Sequence, residues 1–258
     1  MKKINFRQLI QIIFVIISIA LLLYLFLKQD KVAHEYCPFA SVCFGMLGLN
    51  PEVGFFIFKL TSIIGLIILL VTLFLGRIFC SYICFLGSLQ EFIFNIKVLK
   101  KYRIRHIPKG LHRVLLKLKY LLLLLIMFLA YSTYQFLYMK FCPVMALAHI
   151  KTITFWGILS LSVIFIVGFF IERFWCKYLC PYAALMNVLL FVGNLLHIPR
   201  KKIAINQEFC INCNKCEKVC PMQIDLVNKK YIKNVECILC KKCIRVCKSN
   251  PKAIETKY

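Results

Sequence analysis

Acidic residues are scarce in this sequence: 258 residues include 10 Asp and Glu against 34 Lys and Arg, a formal net charge of +24. Such an imbalance raises the question of nucleic acid. Here the basic residues flank apolar blocks or stand among cysteines, which fits membrane topology and acidic partners and argues against nucleic acid. Also missing are a Walker loop, a Gly-x-Gly-x-x-Gly fingerprint and a Ser/His/Asp arrangement, so no nucleotide or flavin site is legible. No Cys-x-x-Cys-His occurs, which excludes covalently attached c-type haem. Ionisable residues inside the apolar blocks are few, with Glu172 near an exit the main case. That scarcity counts against a core subunit of an ion-moving complex.

What is present is apolar and bunched. Hydrophobic residues make up 61% of the chain, against roughly half in a globular domain. Four blocks are long enough to cross a bilayer, which takes about 20 apolar residues: Leu9–Leu27, Gly54–Leu75, Val114–Leu137 and Ile153–Ile171. The first is too long for a signal-peptide core and is followed by no small-residue cleavage site, so it reads as a retained span. Lys2, Lys3 and Arg7 precede it, ten Lys and Arg lie between Arg77 and Lys119, and sixteen follow from Arg173 onward. The other two loops offer only Lys28 and Lys31, then Lys140 and Lys151. The positive-inside rule therefore predicts a multi-pass protein of the inner (cytoplasmic) membrane with both termini cytoplasmic.

The membrane part repeats itself. Tyr36-Cys37-Pro38 follows the first span and Phe141-Cys142-Pro143 the third. The second span exits through Arg77-Ile78-Phe79-Cys80-Ser81-Tyr82-Ile83-Cys84, the fourth through Arg173-Phe174-Trp175-Cys176-Lys177-Tyr178-Leu179-Cys180-Pro181. Each half thus starts and ends on the same side, which predicts parallel repeats related by an axis along the membrane normal. Shorter apolar runs follow each exit, Ser88–Leu99 and Ala184–Ile198, and read as interfacial helices.

Fifteen cysteines in fixed spacings suit metal ligation better than disulfides. The tail carries Cys210-x-x-Cys213-x-x-Cys216-x-x-x-Cys220-Pro221 and then Cys237-x-x-Cys240-x-x-Cys243-x-x-x-Cys247. This is the bacterial two-cluster ferredoxin spacing, in which the fourth cysteine of each run ligates the other run's cubane. Cys210, Cys213, Cys216 and Cys247 are expected to hold one [4Fe–4S] cluster, and Cys220, Cys237, Cys240 and Cys243 the other. Iron in a cubane prefers soft thiolate donors. Zinc also uses Cys-x-x-Cys pairs but leaves two interlocking runs of four unexplained.

The membrane-edge cysteines carry a second expectation. Residues four apart share a helix face, so Cys80 with Cys84 and Cys176 with Cys180 could each present two thiolates, together a four-thiolate metal site. Packed, inert cysteines are the bland alternative. On the far side Cys37, Cys43 and Cys142 lie near His34, Glu35 and His149. Cys37 with Cys142 could form a disulfide or meet a redox partner, and His34 with His149 could ligate a haem. His106, His112 and His197 stand among basic interfacial residues and read as headgroup contacts.

Taken together, the paired Cys-x-x-x-Cys exits and the two tail runs resemble the NapH-type quinol dehydrogenase membrane components. These are relatives of the iron–sulfur modules of the nitrous-oxide reductase regulator and of the cytochrome-oxidase assembly ferredoxin. Phe85 replaces the family's proline after the first exit, while Pro181 keeps it after the second. The resemblance implies an all-α polytopic module of four transmembrane helices in two parallel repeats, residues 1–102 and 103–199, followed by a small α+β two-cluster ferredoxin domain over 200–258. It implies electron transfer between quinol or a cytosolic donor and a respiratory redox partner, with the lipid bilayer, redox proteins and quinone as partners. A membrane redox sensor or metal-centre assembly factor, and a subunit of an ion-moving redox complex, are the alternative readings.

Overall fold

The computed structural model describes residues 6–28, 60–96, 101–131, 140–148, 155–227, 229–247 and 253–257. Ten helices, a π-helical turn, a 3₁₀ turn and two strands make up this described part, which is mostly helical. Helix α1 (Phe6–Lys28) is followed by α2 (Leu60–Leu75), the short α3 (Ile78–Tyr82) and α4 (Phe85–Phe94). The second half runs through α5 (Lys109–Tyr131), α6 (Pro143–Ala148), α7 (Phe155–Phe170), the π-helical turn Trp175–Leu179 and α8 (Pro181–Leu195). Gly76 closes α2 with φ +66° and an N–H bonded to the Thr72 carbonyl, a left-handed cap that glycine adopts without a Cβ penalty.

Helix α1, over Phe6–Tyr24, is the one described helix both long and apolar enough to cross a membrane. The 16 residues of α2 and of α7 rise about 24 Å, short of a hydrocarbon core of about 30 Å. Helix α5 has 23 residues, but Lys109, Arg113, Lys117 and Lys119 occupy its first half. Apolar side chains on these helices point outward, among them Leu66, Leu70 and Phe74 on α2 and Ile158, Val163 and Ile166 on α7.

The halves are interleaved. Helix α4 of the first half packs on α7 of the second, and α8 of the second packs on α2 of the first, while α1 supports α4 and α5 supports α8. The segments that follow α4 and α8 tie back to the same partner helices: Ile104 N–H bonds the Phe170 carbonyl at the end of α7, and Lys201 N–H the Phe74 carbonyl at the end of α2. Tyr182, fully buried on α8, donates its hydroxyl to the Gly65 carbonyl of α2. Helices α4 and α8 are the expected interfacial pair, yet each buries a whole face. Leu86 and Phe94 of α4, and Ala184, Met186 and Leu190 of α8, are out of solvent, because the opposite half supplies an apolar helix to cover them.

The tail folds around strand β1 (Lys202–Ile205), antiparallel to β2 (Ile254–Lys257) with Lys202 opposite Lys257. Ile203, Ile205 and Ile254 turn inward onto Met222, Ile224, Leu226, Ile232 and Ile238, each worth about 1.5–3 kcal/mol when fully buried. After the 3₁₀ turn Gln207–Phe209, two short helices, α9 (Lys215–Lys218) and α10 (Lys242–Val246), pack on each other. Each begins at the corresponding point of its cysteine run.

Candidate iron–sulfur sites

The two tail runs share one backbone conformation. Asn212 and Asn214 flank Cys213 with φ of 50° and 56°; Leu239 and Lys241 flank Cys240 with φ of 50° and 57°. Asparagine tolerates this left-handed region, but leucine and lysine enter it at a cost. Strain held at equivalent places in two loops is the mark of a functional constraint. It folds each Cys-x-x-Cys-x-x-Cys into a tight cup, after which α9 or α10 carries the chain to the fourth cysteine.

The cups differ in surroundings. Cys220, Cys237, Cys240 and Cys243 line one cavity with Ile203, Met222, Ile224, Leu226, Ile238 and Leu239. This set joins the last cysteine of the first run to three of the second, the crossed combination expected from the spacing. Burial pushes the Cys237 thiol up to about 12 and the Cys220 thiol to about 11, so thiolates form here only against a cation such as iron. In the other run Cys213 is exposed and Cys210 and Cys216 are half-buried, with Ile211 outermost. Among the described residues no three His, Cys, Asp or Glu side chains converge on a single ion position. A cubane does not need such a point, since each thiolate takes a different iron corner, and the sulfur-only donors of the apolar cavity fit that group.

Cys80, Cys84, Cys176 and Cys180 are gathered at the junction of the halves. Cys80 sits in α3 and Cys176 in the π-helical turn, both buried. Cys84 and Cys180 are the N-cap residues of α4 and α8. Each pair therefore straddles a helix junction and does not share a helix face. Pro181 explains this in the second half: it starts α8 at N1 and holds Cys180 extended, ψ 113°. Cys84 takes the same conformation, ψ 118°, ahead of Phe85, so the missing proline leaves the backbone unchanged. The neighbouring Cys84 thiol, with Arg173 and Arg77, pulls Cys176 below the ordinary thiol range. Cys80 and Cys180 feel Cys176 electrostatically, and burial pushes Cys180 up to about 12. Gly87 makes room for this approach: a Cβ there would lie 2.9 Å from the Cys80 carbonyl and 3.4 Å from the Cys176 sulfur.

Around these thiols lies a buried charge array that sequence reasoning did not find. Arg173, three residues before Cys176, bonds Glu91 of α4 at 2.6 Å and also the Cys80 carbonyl. Arg7 of α1 completes the Glu91 site. Arg77, three residues before Cys80, bonds Asn187 of α8 at 3.0 Å. Glu91 and Asn187 occupy equivalent places in the repeat, 96 residues apart like Arg77 and Arg173. Asparagine brings no charge, and the carboxylate comes from the tail instead: Glu236 accepts from Arg77 at 3.0 Å, Lys119 at 2.5 Å and Asn187 at 2.9 Å. Burial would raise Glu236, but Arg77 and Lys119 hold it below the usual carboxylate range. The scarcity of acids was the available signal, since Glu91 stands in an apolar run and Glu236 beside Cys237.

Two histidines read as headgroup contacts have protein partners. His106 lies 3.2 Å from the Lys218 carbonyl of the tail, and His112 lies 2.8 Å from the Tyr178 hydroxyl. Burial, with Lys177 nearby, lowers His112 to about 4, so it is neutral at ordinary pH. Of the far-side residues, Cys142 is buried ahead of α6. Cys37, Cys43, His34, Glu35 and His149 lie outside the described residues.

Sequence comparisons meet this geometry from a second direction. A 4Fe-4S binding domain matches the chain twice, over residues 59–105 and 153–202, and a 4Fe-4S dicluster domain matches residues 202–248. The chain is 32% identical over 168 residues to the protein named "Putative electron transport protein YccM" of Escherichia coli, covering 62% of this chain and 45% of that one. It is 29% identical over 183 residues to the uncharacterized protein MJ0750 of Methanocaldococcus jannaschii, covering 70% and 71% respectively. A third relative, protein NirI of Paracoccus denitrificans, is 32% identical over 110 residues, 42% of this chain and 16% of that protein. The chain thus spans less than half the length of YccM. No solved structure matches it. By these matches the chain carries ferredoxin-type 4Fe-4S domains. It is a distant homologue of YccM and NirI.

Proposed function

We propose that this chain is a membrane-bound electron-transfer protein of the NapH-type quinol dehydrogenase kind. Residues 1–102 and 103–199 are its two membrane repeats, with four spans, and 200–258 its cytoplasmic two-cluster domain. Cys210, Cys213, Cys216 and Cys247 would hold one [4Fe–4S] cluster, and Cys220, Cys237, Cys240 and Cys243 the second. Cys80, Cys84, Cys176 and Cys180 would hold a further iron–sulfur centre between the halves. Clusters supply one-electron oxidation and reduction; the chain's own residues bind them, shield them and set their spacing.

The observation that carries this reading is the gathering of two cysteines from each half beside a two-cluster tail. Each 4Fe-4S binding domain match contains only two cysteines, Cys80 with Cys84 or Cys176 with Cys180, and a cluster takes four thiolates. The two halves together supply them. Arg77 and Arg173 stand beside the thiols and would offset the negative charge of a four-thiolate centre. The outward apolar side chains of α1, α2 and α7 form the kind of surface that meets lipid. Quinol, a lipid-soluble donor, would reach the centre at this membrane edge and pass electrons toward a respiratory redox partner.

The test is an iron and sulfide count on anaerobically purified full-length protein, with a redox titration followed by electron paramagnetic resonance. Three centres are expected, one of which disappears in Cys80→Ser/Cys176→Ser while the two tail clusters remain. Iron content that the double substitution leaves unchanged would reduce the quartet to packing or a thiol pair. Reduction by quinol analogues should require the quartet. Reporter fusions after Lys101 and Tyr258 should be cytoplasmic and one after Asn50 outside; an outside Tyr258 would overturn the topology.

A further inference from the structure

We infer that Glu236 and Lys242 are positioning residues that latch the second cluster loop to both halves of the membrane module, making the cluster of Cys220, Cys237, Cys240 and Cys243 the tail's inner electron port. The inference rests on the cluster assignment proposed above and concerns which cluster faces the membrane-edge cysteines, and what holds it there.

The loop touches the module at three points. Glu236 receives Arg77 of the first half and Lys119 and Asn187 of the second, all of them buried. Leu239 covers the cap of α2, where a Cβ on Gly76 would lie 3.2 Å from its Cδ1. Lys242 pairs with Glu91 of the first half at 3.1 Å and with Glu172 of the second. The tail thus gives an anion beside Asn187 and a cation beside Glu91, and each of the two ions touches residues of both halves. Glu236 immediately precedes Cys237, and Arg77 lies three residues before Cys80. A single carboxylate–guanidinium pair therefore connects the backbone next to the second cluster with the backbone next to the quartet. The first run meets the module at its far end, where His106 lies 3.2 Å from the Lys218 carbonyl, with no buried ion pair between them among the described residues, and its Cys213 and Ile211 face solvent. One electron at a time would move across the latch, oxidising one centre and reducing the other, without exchange of a ligand.

A carboxylate that merely neutralised Arg77 and Lys119 would serve equally well from residue 187. This separates the two roles. In the full-length protein, Glu236→Ala leaves two buried cations unpaired and should lower thermal stability and also the hydrogen-exchange protection of residues 236–243, the latter by about tenfold or more. Adding Asn187→Glu returns an anion to Arg77 within the module, as Glu91 serves Arg173. The double variant should regain stability but not the protection of 236–243. Lys242→Met, which leaves Glu91 paired with Arg173 and Arg7, should loosen the same loop and leave protection of α4 and α8 intact. Iron and sulfide are counted on the same samples: wild-type protein without cubanes would overturn the cluster reading. If the relocated carboxylate restores protection of the loop, or if neither Glu236→Ala nor Lys242→Met loosens it, the latch is overturned.

Discussion

The two cysteine cups of the tail share a backbone and differ in almost everything around it. The first places Asn212 and Asn214 at its left-handed positions and leaves Cys213 open to water; the second places Leu239 and Lys241 there and buries Cys240. A residue suited to its dihedral angles suffices where the loop stands alone. Where the loop docks on another part of the molecule, the side chain is chosen for the dock and the backbone strain is tolerated. The cup on the module side is accordingly the strained and buried one.

The largest test of this contrast removes a ligand. Cys220→Ala should abolish the same resonance signal as Cys240→Ala, although residue 220 belongs to the first run. A spectrum matching that of Cys213→Ala would show instead that each run keeps its own four cysteines. Next in size is selective damage: on exposure to oxygen, the signal lost with Cys213→Ala should decay first, because that cup is open to solvent. Simultaneous decay would remove the inner and outer distinction. Leu239→Asn is expected to destabilise the protein by about 2 kcal/mol, since loss of a buried leucine outweighs relief at φ 50°. The mirror change, Asn212→Leu, should cost no more than about 1–2 kcal/mol, the left-handed penalty alone. Smallest is Lys241→Asn, which meets the same φ preference without an apolar loss and should stabilise by about 0.5–1 kcal/mol in thermal unfolding.

Much of this was written legibly in the chain. The 4Fe-4S domain matches were legible because cubanes demand cysteines at fixed spacing, and the recurrence in sequence because Arg77 and Arg173 precede identical cysteine intervals. What was hidden depends on long-range partners. The spacing of Cys80 and Cys84 permits one helix face, and only the extended N-cap conformation shows that a junction falls between them. Helices α4 and α8 have the composition of surface helices, yet an exchanged partner from the other half buries them. The role of Glu236 has no local pattern at all; it follows from a missing charge at Asn187, a residue in a different domain. The lengths of α2 and α7, 16 residues in the described chain, leave the four-span topology to the reporter fusions.

The exchange of helices between halves also sets an order on synthesis. A ribosome delivers Glu91 long before Arg173, and Arg77 long before Asn187 and Glu236. Until the second half arrives, Glu91 has only Arg7 as a buried ionic partner, and Cys80 with Cys84 lack their counterparts. Only with residue 180 is the quartet complete, and only with residue 236 is Arg77 given a carboxylate. The interleaved architecture therefore acts as a clock: Cys80 and Cys84 meet Cys176 and Cys180 only after both halves have been made.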